Sequence, residues 1–252
     1  MGIEAFGLSE IGPVRPINED CFISAEDLQL FVVADGMGGD ATGEMASKVA
    51  AESIERFIRR SQETTDFSWP YGIDAKLSYE ANRLKTAVNL GNRRIHRLAE
   101  NHDDYLGMGT TVVCVLLAGR QMIVAHVGDS RLYVFAKDTL TQLTEDDSWA
   151  ATVLGSRDAP QGRQATRQVL TNVLGARSDT EVHLTELDLV GTETLLLCSD
   201  GLHGAVSGEV LHQVLSSDQP LPDLVHTLIT TALDHGSRDN ITALVVRCSV
   251  AR

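Results

Sequence analysis

Four aspartates adjoin apolar, strand-like runs, and this placement indicates a shared chemistry. They are Asp35, Asp129, Asp200 and Asp239. The apolar residues 30–34, for example, lead directly into an aspartate and then Gly36. A buried strand that ends in this way holds the carboxylate at the edge of a sheet, and the glycine turn exposes backbone carbonyl groups.

Carboxylate and carbonyl oxygens are the hard ligands that Mg²⁺ and Mn²⁺ prefer. Several aspartates gathered at one point repel one another unless a cation lies between them. A single aspartate–glycine pair is, however, an ordinary turn. The spacing alone leaves open whether the four aspartates converge, because Asp35 and Asp200 lie far apart in the chain.

The charge balance excludes some classes of partner. The 252 residues include 21 lysines and arginines against 35 aspartates and glutamates, a net charge of −14. Such a chain is poorly suited to hold nucleic-acid phosphates or an anionic membrane surface, so we expect neither partner. A hydrophobic content of 43% and a charged content of 22% are typical of a compact globular protein.

Targeting signals and cysteines point to the cytoplasm. The longest apolar run, residues 112–118, is far too short for a membrane span, and the first residues lack the pattern of a secretory signal. The four cysteines have no C-x-x-C spacing and lie in apolar stretches. We therefore expect reduced, packed thiols.

The elements that must position the aspartates follow from hydrophobic patterning. Apolar runs predict buried strands, and amphipathic patterns predict helices. The predicted strands cover 30–34, 112–118, 122–127, 195–198 and 241–246, and the predicted helices lie near 43–60, 77–100, 210–215 and 222–233. Arg93, Arg94 and Arg97 lie off the apolar stripe of the second helix and predict a solvated face. This order favours packed sheets flanked by helices in one domain, residues 1–252.

Six short strings give the chain a family resemblance. In order they are Arg15-x-x-Asn18-Glu19-Asp20, Asp35-Gly36-Met37-Gly38-Gly39, Gly107-Met108-Gly109-Thr110-Thr111, Gly128-Asp129-Ser130-Arg131, Ser199-Asp200-Gly201 and Asp239-Asn240-Ile241-Thr242. Their order and intervals resemble those of the metal-dependent protein phosphatases of the protein phosphatase 2C type. The resemblance covers nearly the whole chain and is strongest to the compact bacterial serine/threonine phosphatases.

The resemblance implies a fold and a metal centre. The fold is α+β, a four-layer α/β/β/α sandwich of two packed antiparallel sheets flanked by helices. Two Mn²⁺ or Mg²⁺ ions lie at one end of it, with a weaker third. Carried over by motif, Asp35 bridges the two ions and the Gly36 carbonyl binds one of them. The remaining assignments are Asp200 and Asp239 on the other ion, Asp129 with Asp200 on the third, and Glu19 and Asp20 acting through metal-bound water.

The resemblance also implies an activity. A bridging hydroxide activated by the metals attacks the phosphorus of phosphoserine or phosphothreonine, so no phosphoenzyme forms. Arg15 matches the arginine that holds the substrate phosphate, and its planar fork suits a bidentate grip. Ser130 and Ser199 stand outside any nucleophile elbow, and we expect structural roles for both. The implied partners are a phosphorylated protein and the cytoplasmic serine/threonine kinase that the enzyme opposes, with a monomer as the expected state.

Three departures from the family pattern concern the surroundings of the centre. Met37 replaces the histidine that follows Asp-Gly in many eukaryotic members, so this side chain cannot protonate the leaving group. His203 is an unusual residue beside Asp200, for which we weigh a role in supporting the site or facing substrate against that of a tolerated loop residue. A flap is expected over about residues 145–166, where Asp147 replaces a common histidine.

Three other functions stay open at this point. A non-catalytic interaction domain of the same fold would be expected to have lost ligand aspartates, and all four are present here. A metal hydrolase acting on phosphotyrosine, phosphohistidine or a small phosphoester would differ only in substrate preference. An acidic binding module whose aspartates merely form turns would gain no stability from divalent metal.

Overall fold

The structure is a computed structural model that describes residues 2–38, 42–64, 68–149 and 169–249. In chain order the strands are β1 (Gly2–Glu10), β2 (Asp20–Ala25), β3 (Leu30–Met37), β4 (Gly109–Thr110), β5 (Val112–Ala118), β6 (Gln121–Val127), β7 (Arg131–Ala136), β8 (Thr139–Gln142), β9 (His183–Asp188), β10 (Thr194–Cys198) and β11 (Ile241–Ser249). The α-helices are α1 (Thr42–Glu63), α2 (Tyr79–Asn101), α3 (Asp200–His203), α4 (Gly208–Leu215) and α5 (Leu221–Asp234).

The strands form two antiparallel sheets. One sheet has the spatial order β1-β11-β10-β7-β8, and the other has the order β2-β3-β5-β6-β9 with β4 beside β3. Strands adjacent in space are often distant in sequence, as where β1 pairs with β11 along its whole length. This topology brings together the ends of β3 and β10 and the start of β11. The predicted site residues Asp35, Asp200 and Asp239 lie at or beside these three positions.

Three apolar layers hold the sandwich together. Leu30 and Val32 of β3 pack toward α1 and α2, whereas Phe31 and Val33 pack toward the opposite sheet. On the other side of the sandwich, β10 and β11 bury a second cluster against α4 and α5. Alternate residues of one strand therefore enter two different cores, which is why the central strands are continuously apolar rather than alternating. The predicted four-layer α/β/β/α class is confirmed.

The helices begin and end where the sequence chemistry directs. Ser78 caps α2 by accepting a hydrogen bond from the Ala81 amide at 3.1 Å. The apolar stripe of α2 is buried at Leu84 and Ile95, and Gly91 packs against Ala50 of α1. Beyond α5, Gly236 adopts φ 84°, the left-handed conformation that commonly ends a helix at glycine.

Several strands were missed by the sequence analysis. Apart from the two-residue β4, the missed strands are β1, β2, β7, β8 and β9. Most of their residues are only half-buried and many are polar, so they lack the wholly apolar run on which the prediction relied. Four of the five lie at the edges of the sheets, where one strand neighbour is absent.

Other sequence predictions concern cysteines, membrane spans and the flap. All four cysteines are free thiols, and Cys114, Cys198 and Cys248 are buried, as expected. Among the helices that the structure describes, none combines the length and apolar character that crossing a bilayer demands. Of the flap predicted over about residues 145–166, only residues 145–149 lie within the described chain.

Candidate active site

Asp35 lies at the end of buried strand β3 and is fixed through its main chain. Its amide donates to Thr111 Oγ1 at 3.3 Å, and its carbonyl accepts from the Thr110 hydroxyl at 2.8 Å and the Thr111 amide at 2.9 Å. Across the β2–β3 pair, Asp35 stands directly opposite Asp20. The sheet register therefore sets these two carboxylates side by side.

Carboxylates from distant parts of the chain meet at this point. Burial, followed by repulsion from Asp20 and Asp200, raises the pKa of Asp35 well above its usual range. Burial likewise raises the pKa of Asp129 to about 7 and that of Asp200 to about 6, with further repulsion from neighbouring acids. Asp239 contributes to the repulsion on Asp35, Asp20 and Asp200. The five acids thus form one cluster that disfavours negative charge.

Asp20 has one oxygen fully bonded and one without a partner. Its Oδ2 accepts from the Ser199 hydroxyl at 2.7 Å and from the Thr242 hydroxyl at 2.6 Å. Its Oδ1 is buried and has no hydrogen-bond partner among the described residues. Burial raises the pKa of Asp20 to about 7, against the opposing effect of the two hydroxyl donors. An orphaned buried carboxylate oxygen of this kind fits a site for water or a cation.

Glu19 joins β2 to the start of α1. Its Oε1 accepts from the Gly43 amide at 3.1 Å, its carbonyl accepts from the Gly36 amide at 3.1 Å, and its own amide donates to Asn240 Oδ1 at 2.9 Å. A Cβ at Gly36 would collide with the Gly43 carbonyl, so only glycine permits this approach. Glu19 therefore acts structurally at the first turn of α1 while lying beside the acidic cluster.

Arg15 and Asp239 form an ion pair at the exposed side of the cluster. Arg15 Nη2 donates to Asp239 Oδ2 at 2.7 Å, and the Asn240 amide donates to Asp239 Oδ1 at 2.9 Å. The hydrogen bond to Asp239 raises the pKa of Arg15 against the opposing effect of burial. With 47% of its side chain exposed, Arg15 can still reach an incoming anion.

The turn that carries Asp129 is held from two sides. His203 Nε2 contacts the Asp129 carbonyl at 3.0 Å, and the Ser130 hydroxyl contacts the Thr111 hydroxyl at 2.7 Å. Burial, with the nearby Arg131, lowers the pKa of His203 to about 3, so the imidazole is neutral and donates this hydrogen bond. The contact with the Asp129 carbonyl favours the supporting role among the interpretations weighed for His203.

Asp147, at the base of the predicted flap, bonds to the same turn. Its Oδ2 accepts from the Gly128 amide and from Asn172 Nδ2, each at 2.9 Å, and its Oδ1 contacts His183 Nε2 at 2.8 Å. His126 is 6% exposed, stacks on His183 and contacts the Glu145 carbonyl, so it is packed into the structure. The residue that departs from the family pattern therefore fastens the flap base to the strand end that carries Asp129.

Three residues support the site through contacts that the sequence analysis did not predict, although it expected a structural role for Ser199. Ser199 and Thr242 hold Asp20, and Asn240 spans the loop before β2 by donating to the carbonyls of Ile11 and Ile17, each at 2.9 Å. All three stand within the strings that carry the family resemblance. That position was the available signal, because nothing in their spacing indicates these long-range contacts.

The oxygen donors of the site fit a divalent metal ion, although they are not yet arranged around one point. In the described part of the chain, no three acidic, histidine or cysteine side chains are already arranged as ligands of one ion. Asp239 is engaged by Arg15, and the carboxyl groups of Asp35 and Asp200 are close enough for Asp35 to influence the pKa of Asp200. Hard oxygen donors, mutual repulsion and the orphaned Asp20 oxygen all suit Mg²⁺ or Mn²⁺, with carbonyl groups and water completing the shell.

Comparisons with known proteins agree with this geometry. The family model described as Protein phosphatase 2C matches residues 17–244. The serine/threonine phosphatase stp of Listeria welshimeri is 34% identical over 241 residues, which cover 93% of this chain and 92% of the relative. The serine/threonine phosphatase PstP of Mycobacterium tuberculosis superposes with a TM-score of 0.84 at 31% identity, over 98% of this chain and 99% of that one.

A further solved structure bears on the metal. The catalytic domain of PstP in complex with two manganese ions superposes with a TM-score of 0.82 at 31% identity, over 98% of this chain and 99% of that one. Because the family model covers most of the chain and the relatives align along nearly all of it, the chain belongs to the protein phosphatase 2C family of metal-dependent phosphatases.

Proposed function

We propose that the acidic cluster is the place where this chain hydrolyses phosphoserine and phosphothreonine in proteins. As a member of its family the chain is a metal-dependent serine/threonine protein phosphatase. The observation that carries the proposed site is the orphaned Oδ1 of Asp20 within a group of acids whose pKa values are raised. Such a group requires positive charge to be stable in its ionised form.

The proposed ligands follow the strand ends. Asp35 and the Gly36 carbonyl would hold one ion, and Asp35 with Asp200 and Asp239 would hold the second. Asp129 would join Asp200 at a weaker third ion, and Glu19 and Asp20 would act through water. The support for Asp20 is its orphaned oxygen, and the support for Glu19 is its position between Gly36 and Gly43.

Two bound divalent ions supply charge that lowers the pKa of water and offsets the negative charge of the phosphoryl oxygens. The chain's own contribution is to hold the donors rigidly. Ser199 and Thr242 orient Asp20, and Thr110 and Thr111 fix the main chain of Asp35. Pre-organised donors cost little reorganisation when charge develops in the transition state.

Arg15 is proposed to bind the substrate phosphate. It lies at the exposed side of the cluster, and its partner Asp239 is itself a proposed ligand. A cation at Asp239 would weaken the attraction between the two side chains. The Arg15 guanidinium would then be free for two parallel hydrogen bonds to phosphate.

Buried serines support direct hydrolysis without a phosphoenzyme. Ser130 is 1% exposed and Ser199 is 0% exposed, and each hydroxyl is engaged by another side chain of the site. Neither can meet a phosphoprotein without rearrangement. Met37 lacks an ionisable group, so the proton for the leaving alkoxide must come from water or another residue.

The wider biological setting belongs to the same proposal. We propose one domain over residues 1–252, a flap over about residues 145–166 that selects the phosphoprotein, and a monomer in the cytoplasm opposing a serine/threonine kinase. The named relatives support a phosphoprotein substrate. Asp147 holds the described base of this flap by accepting from the Gly128 amide and from Asn172 Nδ2.

The proposed site is tested by initial rates on a phosphothreonine peptide with Mn²⁺, with Mg²⁺ and with excess chelator. We expect turnover with either ion, none with chelator, and a loss of at least about a hundredfold in Asp200→Asn. The exposed Asp218→Asn variant is the matched control, since it removes a carboxylate from outside the cluster.

Phosphotyrosine peptides and a small phosphoester are assayed in parallel to establish substrate preference. A folded wild-type chain that is inactive with every metal and substrate would overturn the proposal. A preference for phosphotyrosine or the small ester would retain the site but replace the substrate class.

A further inference from the structure

A groove with a volume of about 480 Å³ lies between α1 and α2, apart from the acidic cluster. Phe57 of α1, which lines it, follows Thr42 at the start of that helix by fifteen residues. At 1.5 Å per residue this corresponds to about 20 Å along the helix axis. Glu19, which lies beside the acidic cluster, contacts Gly43 at that start. The groove is therefore a separate surface from the proposed active site.

The walls of the groove are strongly basic. They carry five exposed arginines, Arg56, Arg60, Arg93, Arg94 and Arg97. In the described parts of the chain, none of these five forms an ion pair, whereas Arg59 and Arg83 on the same two helices are each paired with acids. The arginine face predicted on α2 is exposed to solvent, as expected. The arginines of α1 line the same groove as this face.

The floor of the groove is apolar with one polar exception. Phe57, Leu90 and Leu98 are half-buried and line it. Ser53 also lines it, is 8% exposed, and has a buried hydroxyl with no hydrogen-bond partner among the described residues. An unpartnered hydroxyl beneath a cationic rim is a group that a bound polar ligand would satisfy.

The arginines of this groove repel one another in the isolated chain. Arg56 and Arg60 are four residues apart on α1, as are Arg93 and Arg97 on α2, and like charges at this helical spacing repel each other. Five of the chain's 21 basic residues gather here although the net charge is −14. An anionic partner would relieve the repulsion within the groove.

We propose that this arginine groove binds an acidic segment of a partner protein. Carboxylates of that segment pair with the guanidinium groups, which favour bidentate contact, and one apolar side chain rests on Phe57, Leu90 and Leu98. A long nucleic acid is disfavoured because the surface beyond the groove carries a large excess of acidic residues. A membrane is disfavoured because the apolar residues lie at the floor of a concavity.

The test uses a fluorescent glutamate-rich peptide with one central leucine. Its anisotropy is titrated with the full chain in excess chelator, so the outcome does not depend on phosphatase activity. We expect saturable, salt-sensitive binding that weakens at least about tenfold in Arg97→Glu. Arg177→Glu, a charge reversal at an exposed arginine outside the groove, should change affinity less than about twofold.

Replacing the leucine of the peptide by alanine should weaken binding about threefold or more, because that side chain loses its apolar contact. The melting temperature of each variant and its metal-dependent turnover of a small phosphoester should match the wild type. No saturable binding, or equal losses in Arg97→Glu and Arg177→Glu, would overturn the proposal. Tighter binding of a labelled oligouridylate of matched charge would replace the acidic segment by a nucleic acid.

Discussion

Arg15 donates to Asp239 at 2.7 Å, so the residue proposed to hold phosphate is paired with a residue proposed to hold metal. Both side chains are partly exposed, at 47% and 31%. The second oxygen of Asp239 accepts from the Asn240 amide at 2.9 Å. Each oxygen still has a free lone pair, so a cation can bind Asp239 beside Arg15, but the two positive charges repel each other and compete for the same carboxylate.

This competition predicts opposite effects of Arg15→Gln on metal and substrate. Mn²⁺ should bind up to about fivefold more tightly, a modest gain because exposed ion pairs contribute little. The kcat/KM for a phosphothreonine peptide should fall at least about tenfold, because the bidentate phosphate contact is lost. Calorimetric titration with Mn²⁺ and initial-rate kinetics measure the two quantities.

Arg238→Gln is the matched control for that experiment. It removes a neighbouring exposed positive charge beside Asp239 without removing the hydrogen bond to it. We expect both quantities to change less than about twofold. Weaker Mn²⁺ binding in Arg15→Gln than in the control would contradict the proposed competition.

The repulsion within the acidic cluster predicts that one substitution changes stability in opposite directions with and without metal. At about pH 8 with chelator, Asp200→Asn should raise the free energy of unfolding by about 1 kcal/mol, because one buried charge is removed. With Mn²⁺ at about a hundred times its Kd, ligand binding stabilises the wild type by about 2.7 kcal/mol. The variant should lose most of that gain, and urea unfolding in both conditions measures it.

Asp218→Asn again serves as the control for unfolding, since its carboxylate is exposed and remote from the cluster in sequence. Its stability should respond to Mn²⁺ as the wild type does. If chelated Asp200→Asn proved less stable than chelated wild type, the cluster would not be the source of strain inferred from the raised pKa values.

His203 is predicted to position the Asp129 turn without titrating during turnover. His203→Ala should lower the free energy of unfolding by about 1 to 3 kcal/mol, because the Asp129 carbonyl loses a buried donor. It should also raise the Mn²⁺ concentration needed for half-maximal activity. The shape of the pH–rate profile should stay unchanged, since burial lowers the pKa of His203 to about 3.

His212→Ala offers a matched comparison, because His212 makes a similar 3.0 Å contact with the Asp138 carbonyl at an exposed position. We expect its stability to change by less than about 0.5 kcal/mol and its metal requirement to stay the same. A pH–rate profile that changes shape only in His203→Ala would show that the imidazole takes part in proton transfer.

The strands that are buried on both faces could be predicted from the sequence. Residues 30–34 and 112–118 are wholly apolar because both faces of β3 and β5 pack into a core. Strand β1 could not be predicted in this way, since its residues alternate in character and its stability depends on pairing with β11 at the far end of the chain. Pairing partners of that kind are a property of topology rather than of local pattern.

The site residues, too, could be predicted where the signal is local but not where it depends on topology. Four aspartates at strand ends were visible in the sequence, but their convergence depends on how distant strands pair across the fold. The hydroxyls of Ser199 and Thr242 that orient Asp20 were not predicted, because each contact spans a large part of the chain. The orphaned oxygen of Asp20 likewise becomes visible only when its surroundings are known.

Glu193, which lies away from the site, predicts how the free energy of unfolding depends on pH. Its carboxylate accepts from the amides of Val190, Gly191 and Thr192 at 2.6, 2.7 and 2.8 Å. Burial opposes ionisation, but these three hydrogen bonds outweigh it and lower the pKa of Glu193 below its ordinary value of 4.5. A depressed folded-state pKa contributes stability above the unfolded value and loses it as pH falls through the folded value.

Glu193→Gln should therefore be less stable than wild type by about 1 to 2 kcal/mol at neutral pH, because a neutral amide binds the three N–H groups more weakly. The difference in stability should narrow as the pH falls below 4.5 and through the lower pKa of the folded state, where the wild-type carboxylate also becomes neutral. Urea unfolding with chelator measures it, with the exposed Glu10→Gln as control. A gap that stays constant on acidification would mean that packing of the side chain, and not its charge, stabilises the turn before β10.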